Sequence, residues 1–222
     1  MIMPKEISLD LAEETGWHIG DGSMNFYKSG SKIKGLYQLR GHIKDDKEHY
    51  EKRIKPLFDK LFGTNINIRF MPSTSVIGFQ IWNDDLVNFK RSLGLPLGGK
   101  AYVRIPSIFL SDKKLCIAVL WGIFDTDGGI YLERKNSRFY PRMYITTISA
   151  ELSEQIMALF KKLDFRITRH SQYYPRGMNR KVLYVLTLRG VEMFHKFMKE
   201  ICPMNPKHQR KYVYFLTHKT YK

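Results

Sequence analysis

An internal repeat is the feature that most limits what this chain can fold into. The run Gly20-Asp21-Gly22 recurs as Thr126-Asp127-Gly128, at an offset of 106 residues. Each run follows a stretch that can be helical and a glycine at a matching distance, Gly16 in the first copy and Gly122 in the second. A chain that carries the same signal twice is expected to contain two similar units.

A second alignment lies downstream of the first. Residues 54–61 align with residues 156–163, at an offset of 102. In both segments the apolar residues recur at i, i+3, i+4 and i+7, which is typical of one face of an amphipathic helix. The four residues lost between motif and helix in the second copy are easily absorbed in a hairpin loop. Two alignments in the same order predict a duplicated unit.

The periodicity along each copy predicts an α+β fold built from two αββαββα halves related by pseudo-twofold symmetry. We expect the first half to span residues 1–94, a linker with Gly and Pro to span residues 95–112, and the second half, with a basic C-terminal extension, to span residues 113–222. Within the first half a helix is predicted to begin at Asp45, with Glu48 three residues later at the spacing of a capping box.

The net charge points to a polyanionic partner. The chain carries a formal charge of +16, divided as +4 over residues 1–111 and +12 over residues 112–222. Because each phosphate contacted by Lys or Arg releases condensed counterions, such an excess favours nucleic-acid binding. A solvated basic surface or a ribosomal-type protein is the alternative. We find no basic amphipathic helix with an aromatic apolar face, so a membrane partner is not predicted.

Cysteine usage and the absence of sorting signals predict an intracellular protein. Cys116 and Cys202 lie 86 residues apart without a Cys-x-x-Cys partner, which suits a reducing compartment. No stretch reaches the ~18 apolar residues of a membrane helix, and the N-terminus has no secretory pattern. We expect a location in the cytoplasm or in an organelle.

The strand faces favour contact with nucleic acid. Along residues 138–146 the even positions are Arg or Tyr up to a final Thr, whereas the odd positions are mostly apolar. Residues 37–44 alternate in the same way, with only basic and neutral polar groups on one face. One face is therefore expected to pack on helices and the other to present long hydrogen-bonding side chains. An ordinary solvated face usually mixes charges of both signs, and these windows do not.

Asp21 and Asp127 are the candidate catalytic residues. A carboxylate at the C-terminal end of a helix adds to the negative end of the helix dipole, and two such ends side by side make the conflict worse. Conflicts of this kind tend to mark functional sites. For one copy alone, Asp-Gly is equally typical of a hairpin turn, but two copies with matched glycines favour function. Hard oxygen ligands suit Mg²⁺, and Mn²⁺ or Ca²⁺ can occupy the same kind of site.

The two motif segments resemble the sequence that names the LAGLIDADG homing endonucleases. The second, Leu120-Trp-Gly-Ile-Phe-Asp-Thr-Asp127-Gly128, is close to the family pattern. The first, Glu14-Thr-Gly-Trp-His-Ile-Gly-Asp21-Gly22, departs from it at Glu14, where the family has an apolar residue, and at Ile19, where an acid is common. Both retain the final Asp-Gly, and the likeness covers nearly the whole chain.

The resemblance implies a monomeric, intron-encoded, site-specific endonuclease with a DNA-binding saddle of two antiparallel sheets. Such an enzyme would hydrolyse both strands of a long, partly asymmetric DNA target and leave short 3′ overhangs. Asp21 and Asp127 would hold metal, assisted by the backbone carbonyls of Gly20 and Thr126. Asp125 matches an acid that is mostly structural in the family.

Lys44 is our candidate for an additional catalytic group, because it is predicted to end an inner strand just before a helix. Its partner at the offset of 102 is Thr146, so the two half-sites would differ chemically. A phosphate contact or a solvent-facing charge is an equal alternative for Lys44.

Side chains of the strands would lie in the major groove, with Arg on guanine and Gln on adenine, although several would contact phosphates instead. The candidate DNA-binding residues are Lys28, Lys34, Gln38, Arg40, His42, Arg69, Gln80, Arg134, Arg138, Tyr140, Arg142, Tyr144, Arg169, Arg180, Lys181 and Arg189. Two other functions remain open. An RNA-binding intron maturase would bind intron RNA whether or not the two Asp residues are intact, and a non-catalytic DNA-binding regulator usually lacks them.

Overall fold

The computed structural model describes residues 1–136, 138–173 and 182–218. It contains the order αββαββα twice, with the middle helix of the first half divided in two and one more helix at the end of the second half. The helices and strands of the first half are α1 (Leu9–Asp21), β1 (Gly22–Ser29), β2 (Lys32–His42), α2 (Ile43–His49), α3 (Lys55–Phe62), β3 (Arg69–Met71), β4 (Val76–Trp82) and α4 (Asp84–Ser92). Those of the second half are α5 (Lys113–Asp127), β5 (Gly128–Lys135), β6 (Arg138–Thr147), α6 (Ala150–Lys162), β7 (Ile167–Tyr173), β8 (Val182–Arg189), α7 (Val191–Glu200) and α8 (Pro206–Thr217). The predicted α+β fold with two strand-rich halves is confirmed.

Polar side chains fix the starts of several helices. Ser8, Asn83 and Ser149 each accept a hydrogen bond from the backbone N–H three residues ahead, in α1, α4 and α6 respectively. Asp112 does the same for two amides of α5. These contacts satisfy backbone donors that have no partner inside the helix.

Each half contributes one four-stranded antiparallel sheet. The strand orders are β1-β2-β4-β3 and β5-β6-β8-β7. In the first sheet Gln38 lies opposite Ser23 on one side and Gln80 on the other. In the second sheet Tyr144 lies opposite Gly129 and Thr187 in the same way. The two sheets therefore have matching topology and register.

The predicted alternation of strand faces is confirmed. Tyr37 and Leu39 of β2 and Met143 and Ile145 of β6 are buried against the helices. The residues between them in sequence lie on the opposite face of each sheet, because successive side chains of a strand alternate. We call these the open faces. Each sheet thus buries an apolar side and presents a polar side.

One helix begins earlier than predicted. After β2 the chain enters α2 at Ile43, and the expected capping box between Asp45 and Glu48 does not form. Instead Asp46 accepts a hydrogen bond from the backbone N–H of His42, with a length of 2.8 Å. A π-helical turn, Tyr50–Ile54, joins α2 to α3. Lys44 therefore lies in the first turn of α2, exposed, and not at the end of a strand.

None of the helices in the described parts of the chain is both long and apolar enough to cross a membrane.

Candidate active site

Helices α1 and α5 pack directly against each other through glycines. A Cβ added at Gly16 would lie 2.8 Å from the Cα of Gly122, and one added at Gly122 would lie 2.7 Å from the Cα of Gly16. A Cβ at Gly20 would collide with the side chain of Thr126 and lie 3.5 Å from Cγ of Asp127. No side chain larger than hydrogen fits at these three positions without moving a backbone or the end of a helix.

This close approach brings Asp21 and Asp127 together as the last residues of their helices. The chain leaves each helix at a glycine and enters a strand at once, at Gly22 and Gly128. A Cβ at Gly22 would meet Cα of His18 at 2.6 Å, so the exit from α1 also requires glycine. Asp21 and Asp127 are both half-buried.

Burial makes the charged form of both carboxyl groups less favourable. Burial and the charge of Asp127 raise the pKa of Asp21 to about 7, although Lys100 and Lys207 act in the opposite direction. Burial raises the pKa of Asp127 to about 6, again against the same two lysines. Two neighbouring carboxyl groups at two negative helix ends form an all-oxygen donor set that suits a hard divalent cation.

Two lysines that the sequence analysis did not select contribute positive charge to this site. The Nζ of Lys100, in a short 3₁₀ helix (Lys100–Tyr102), donates a hydrogen bond to the carbonyl of Gly20. Burial lowers the pKa of Lys100, and the charges of Asp127 and Asp21 raise it. Lys207, at the start of α8, donates to Asp46 Oδ1 over 2.9 Å.

A sequence signal for these lysines exists in the repeat. Pro96-x-x-x-Lys100 recurs as Pro203-x-x-x-Lys207, at an offset of 107. The segment expected to be a linker and the segment expected to be a C-terminal extension therefore each carry a lysine to the site. Extending the repeat alignment past α4 in the first half and past α7 in the second half would have found both lysines.

Lys44, by contrast, is not among the groups that act on the pKa of Asp21 or Asp127. Its early position in α2 explains why, since the strand that was to carry it ends at His42. Of the two predicted carbonyl ligands, that of Gly20 accepts from Lys100, so a cation there would compete with the ammonium group. In Thr126 the side chain is engaged within its own helix, since its hydroxyl donates to the Gly122 carbonyl over 2.8 Å.

Asp125 lies beside the site but faces the protein interior. Its carboxylate accepts hydrogen bonds from the backbone N–H groups of Met204 at 2.9 Å and Asn205 at 3.0 Å. Burial raises the pKa of Asp125 to about 8 even though these amides lower it. These contacts tie the end of α5 to the segment that precedes α8.

Most of the candidate DNA-binding residues lie on the open faces. In the first sheet the register places there Lys34, Gln38, Arg40, His42, Arg69 and Gln80. In the second sheet it places there Arg138, Tyr140, Arg142, Tyr144 and Arg189. One acid shares the second open face, because Glu133 lies opposite Tyr140 and pairs with Arg142 and Lys135.

The register contradicts an open-face position for three candidates. Lys28 lies opposite Ile33, and Arg134 lies opposite Phe139, so both are on the helix side of their sheets. Arg169 also lies on the helix side, where its Nε donates to Ser153 Oγ over 2.7 Å. The physical reason is parity, because a shift of one residue along a strand exchanges the faces. The candidates Arg180 and Lys181 lie outside the described residues.

Comparison with known proteins agrees with this architecture. The profile of the LAGLIDADG-like domain family matches residues 114–202. Structures of mesophilic variants from the homing endonuclease I-DmoI are similar with a TM-score of 0.66 and 17% sequence identity, covering 92% of this chain and 97% of theirs. I-DmoI in complex with DNA and Ca gives 0.65 and 17%, with coverages of 92% and 97%. The I-LtrWI LAGLIDADG homing endonuclease bound to target DNA gives 0.59 and 15%, with coverages of 95% and 90%. No curated protein sequence matches the chain.

The paired glycine-packed helices and the two matching sheets define a protein with two similar halves in one chain. The chain has the fold of the LAGLIDADG homing endonucleases over most of its length, and residues 114–202 carry the family's LAGLIDADG-like domain. The resemblance predicted from the two motifs is confirmed at this level.

Proposed function

We propose that this protein is a divalent-metal-dependent, site-specific DNA endonuclease. The observation that carries the proposal is the meeting of Asp21 and Asp127 at two adjacent helix ends, between two sheets with basic open faces. Burial raises the pKa of each carboxyl group, and acids perturbed in this way are typical of functional sites. A structural role alone would not require two buried acids at the negative ends of two dipoles.

The residues fit a metal of the Mg²⁺ type, which Mn²⁺ or Ca²⁺ can replace. Asp21 and Asp127 would hold it, with the carbonyls of Gly20 and Thr126 as further oxygen ligands. When bound, a divalent cation neutralises charge at a phosphate and lowers the pKa of water. Lys100 and Lys207 would stabilise the additional negative charge that develops on the phosphate during hydrolysis.

The open faces would bind double-stranded DNA as a saddle. Arg40 and Arg69 flank Gly78 across three strands, so their side chains have a common direction away from the helices. Gln38 and Gln80 lie directly opposite each other and form the next pair of residues on the same open face. Arginine and glutamine forks of this kind are suited to guanine and adenine edges in the major groove. Because the two faces carry different residues, the target would be asymmetric.

The finer parts of the proposal follow the family resemblance. The chain would act as a monomer inside the cell, cut both strands to leave short 3′ overhangs, and serve the homing of an intron that encodes it. Binding of that intron's RNA is not required for the endonuclease activity.

The direct test is cleavage of a plasmid that carries the uninterrupted insertion site. This site is made by fusing the DNA sequences that lie immediately upstream and downstream of the insertion. We expect the wild-type protein with Mg²⁺ to linearise it, and Asp127→Asn and Asp21→Asn to lose cleavage by a factor of at least about 100. Both variants should retain DNA binding in a mobility-shift assay with Ca²⁺.

The matched control is Asp125→Asn, which alters an acid two residues from Asp127 that faces the interior. Its cleavage rate should fall less than that of Asp127→Asn at equal folded concentration. Failure of the wild-type protein to cut that plasmid, with Mg²⁺ or Mn²⁺, would sink the proposal.

A further inference from the structure

We infer that Asp46 is a positioning residue for Lys207, so that the two lysines of the site are controlled differently. The inference rests on the proposed function for its consequence in DNA cleavage, but the positioning itself is a property of the free protein. Asp46 belongs to α2 in the first half, whereas Lys207 belongs to α8 in the second.

The Asp46 side chain is fixed by three hydrogen bonds. Its Oδ2 accepts from the backbone N–H of His42 at 2.8 Å. Its Oδ1 accepts from Lys207 Nζ and from Asn205 Nδ2, each at 2.9 Å. Asp46 is 6% exposed. A buried carboxylate with this many donors has a single well-defined orientation.

The backbone that carries Lys207 is fixed by the same cluster. Asn205 is completely buried and caps α8 by accepting from the Lys207 N–H at 3.1 Å. Its Nδ2 also donates to the carbonyl of Asp125 at 3.1 Å, while its own N–H donates to the Asp125 carboxylate. The contact from Asp46 to Lys207 is therefore one part of a network that reaches the end of α5.

Lys100 occupies the equivalent place in the repeat without such a clamp. Gly98 and Gly99 stand where the second copy has Asn205 and Pro206. The carboxylates that act on Lys100 are Asp127 and Asp21 themselves. The second half holds the segment after Lys100 through contacts that do not involve the Lys100 side chain, such as the hydrogen bond from Ser149 Oγ to the Val103 carbonyl at 2.7 Å and the pair between Arg104 and Glu151 at 3.1 Å.

The two lysines thus differ in how their charge is held. Lys100 donates to the Gly20 carbonyl and has Asp127 and Asp21 as its neighbouring carboxylates, whereas Lys207 shares its charge with Asp46 and gains a fixed position. Hydrolysis of the strand that depends on Lys207 should require Asp46, and hydrolysis of the other strand should not.

Amine labelling of the free protein tests the positioning directly. Brief treatment with acetic anhydride, followed by peptide mass spectrometry, reports the reactivity of each lysine. In Asp46→Ala we expect the labelling of Lys207 to rise severalfold and that of Lys100 to stay within about twofold, because the Lys207 ammonium loses the carboxylate that holds it in place and becomes more accessible to the reagent. The matched control is Asp45→Ala, an exposed neighbour that pairs with His42 at 3.2 Å. Unchanged labelling of Lys207 in a folded Asp46→Ala protein would overturn the inference.

Strand-specific cleavage tests the consequence. With a target duplex labelled differently on each strand, Lys207→Met and Lys100→Met should slow different strands. Asp46→Ala should slow cleavage of the same strand as Lys207→Met, by roughly tenfold. The double variant that combines Asp46→Ala with Lys207→Met should cleave that strand no more slowly than Lys207→Met alone. Equal slowing of both strands, or additive effects in the double variant, would contradict the inference. If labelling changes as expected and no variant or wild type cuts DNA, the positioning stands and the endonuclease proposal fails.

Discussion

Beneath the first sheet the core contains a buried ion pair, whereas the equivalent positions beneath the second sheet are apolar. Lys90 of α4 and Glu14 of α1 are both completely buried and in direct contact. The hydroxyl of Tyr37 donates to the same carboxylate at 2.9 Å, and His18 stacks on the Tyr37 ring. Glu14 is the residue at which the first motif departs from the apolar family pattern.

The second half has hydrophobic residues at each of these places. Offsets of 106 and 107 match Glu14 with Leu120, Tyr37 with Met143, His18 with Phe124 and Lys90 with Phe197. The apolar counterparts also contact one another, because the rings of Phe124 and Phe197 pack with their centroids 4.6 Å apart. The same backbone framework therefore accepts either a satisfied polar cluster or an apolar one.

The difference teaches that the departure at Glu14 is local and compensated. A buried charge is tolerated only when its partner is present, and the pair as a whole adds little net stability over an apolar replacement. The first motif thus changed together with α4 and β2, while Gly16, Gly20 and Asp21 kept the helix contact and the acid. An unusual residue at a core-facing position of the motif, such as Glu14, is therefore not evidence against the proposed role of the Asp at the end of the motif.

The largest expected effect comes from breaking the pair in the first half. Lys90→Met should lower the free energy of unfolding by about 3–5 kcal/mol, because it leaves the Glu14 carboxylate buried without its partner. The triple variant Glu14→Leu, Tyr37→Phe, Lys90→Met imitates the second half and should recover most of that loss. Urea unfolding followed by circular dichroism measures both.

Phe197→Met in the second half is the matched control, since it removes packing without leaving a charge unpaired. If the triple variant is as unstable as Lys90→Met, the two halves are not interchangeable solutions and the comparison fails.

The same contrast explains what the sequence could predict. The repeat, the order of elements and the positions of Asp21 and Asp127 follow from local patterns, because glycine spacing and apolar periodicity are read directly along the chain. The partners of Glu14 could not be read in this way, since Lys90 is 76 residues distant and becomes a neighbour only through packing. For the same reason a local rule selected Lys44, whereas Lys100 reaches Gly20 from 80 residues away.

Face assignment failed where a strand's parity was not anchored. Tyr37 and Leu39 are apolar and fix the faces of β2, so Gln38 and Arg40 were placed correctly. Arg134 lies near the end of a hairpin, two residues after Leu132 and on the same side of β5, and its pairing with Phe139 places it on the helix side. Pairing is a long-range property that one strand's pattern does not contain.

The second prediction concerns Asp21 and Asp127, the two acids proposed to be catalytic, which also differ between the halves. Their folded pKa values, about 7 for Asp21 and about 6 for Asp127, lie above the ordinary value of 3.8. Between about pH 4 and pH 7 the folded protein therefore binds more protons than the unfolded chain, so this contribution to stability falls as the pH rises. A divalent cation competes with those protons, and its apparent affinity should rise roughly 10- to 100-fold from about pH 5.5 to 7.5.

Calorimetric titration with Ca²⁺ at several pH values, in buffers with different heats of ionisation, measures the affinity and the protons released. In Asp127→Asn the remaining carboxyl at Asp21 should titrate at lower pH, since the charge of Asp127 raises its pKa. A Ca²⁺ affinity independent of pH over this range would show that the acids are not the ligands.

The smallest expected effect distinguishes the two open faces. On the first, the described residues include no acid, whereas the second contains Glu133 between Arg142 and Lys135. Hydrogen bonding from Lys135 lowers the pKa of Glu133, so it is ionised at neutral pH. A carboxylate here opposes phosphates and holds the Arg142 fork in one orientation, which favours discrimination between bases over general affinity.

Glu133→Gln should therefore bind random duplex DNA severalfold more tightly, with a salt dependence steeper by about one phosphate contact. It should also lose roughly tenfold in discrimination at the base pair that Arg142 contacts, as measured by competition with single-substitution duplexes. Glu192→Gln removes the same charge from α7, where Glu192 pairs with Arg166 at 2.6 Å, and controls for net charge. If both variants bind random DNA equally well and discriminate between bases equally well, Glu133 acts only through its contribution to the total charge. The two open faces would then differ in composition but not in how they select a DNA sequence.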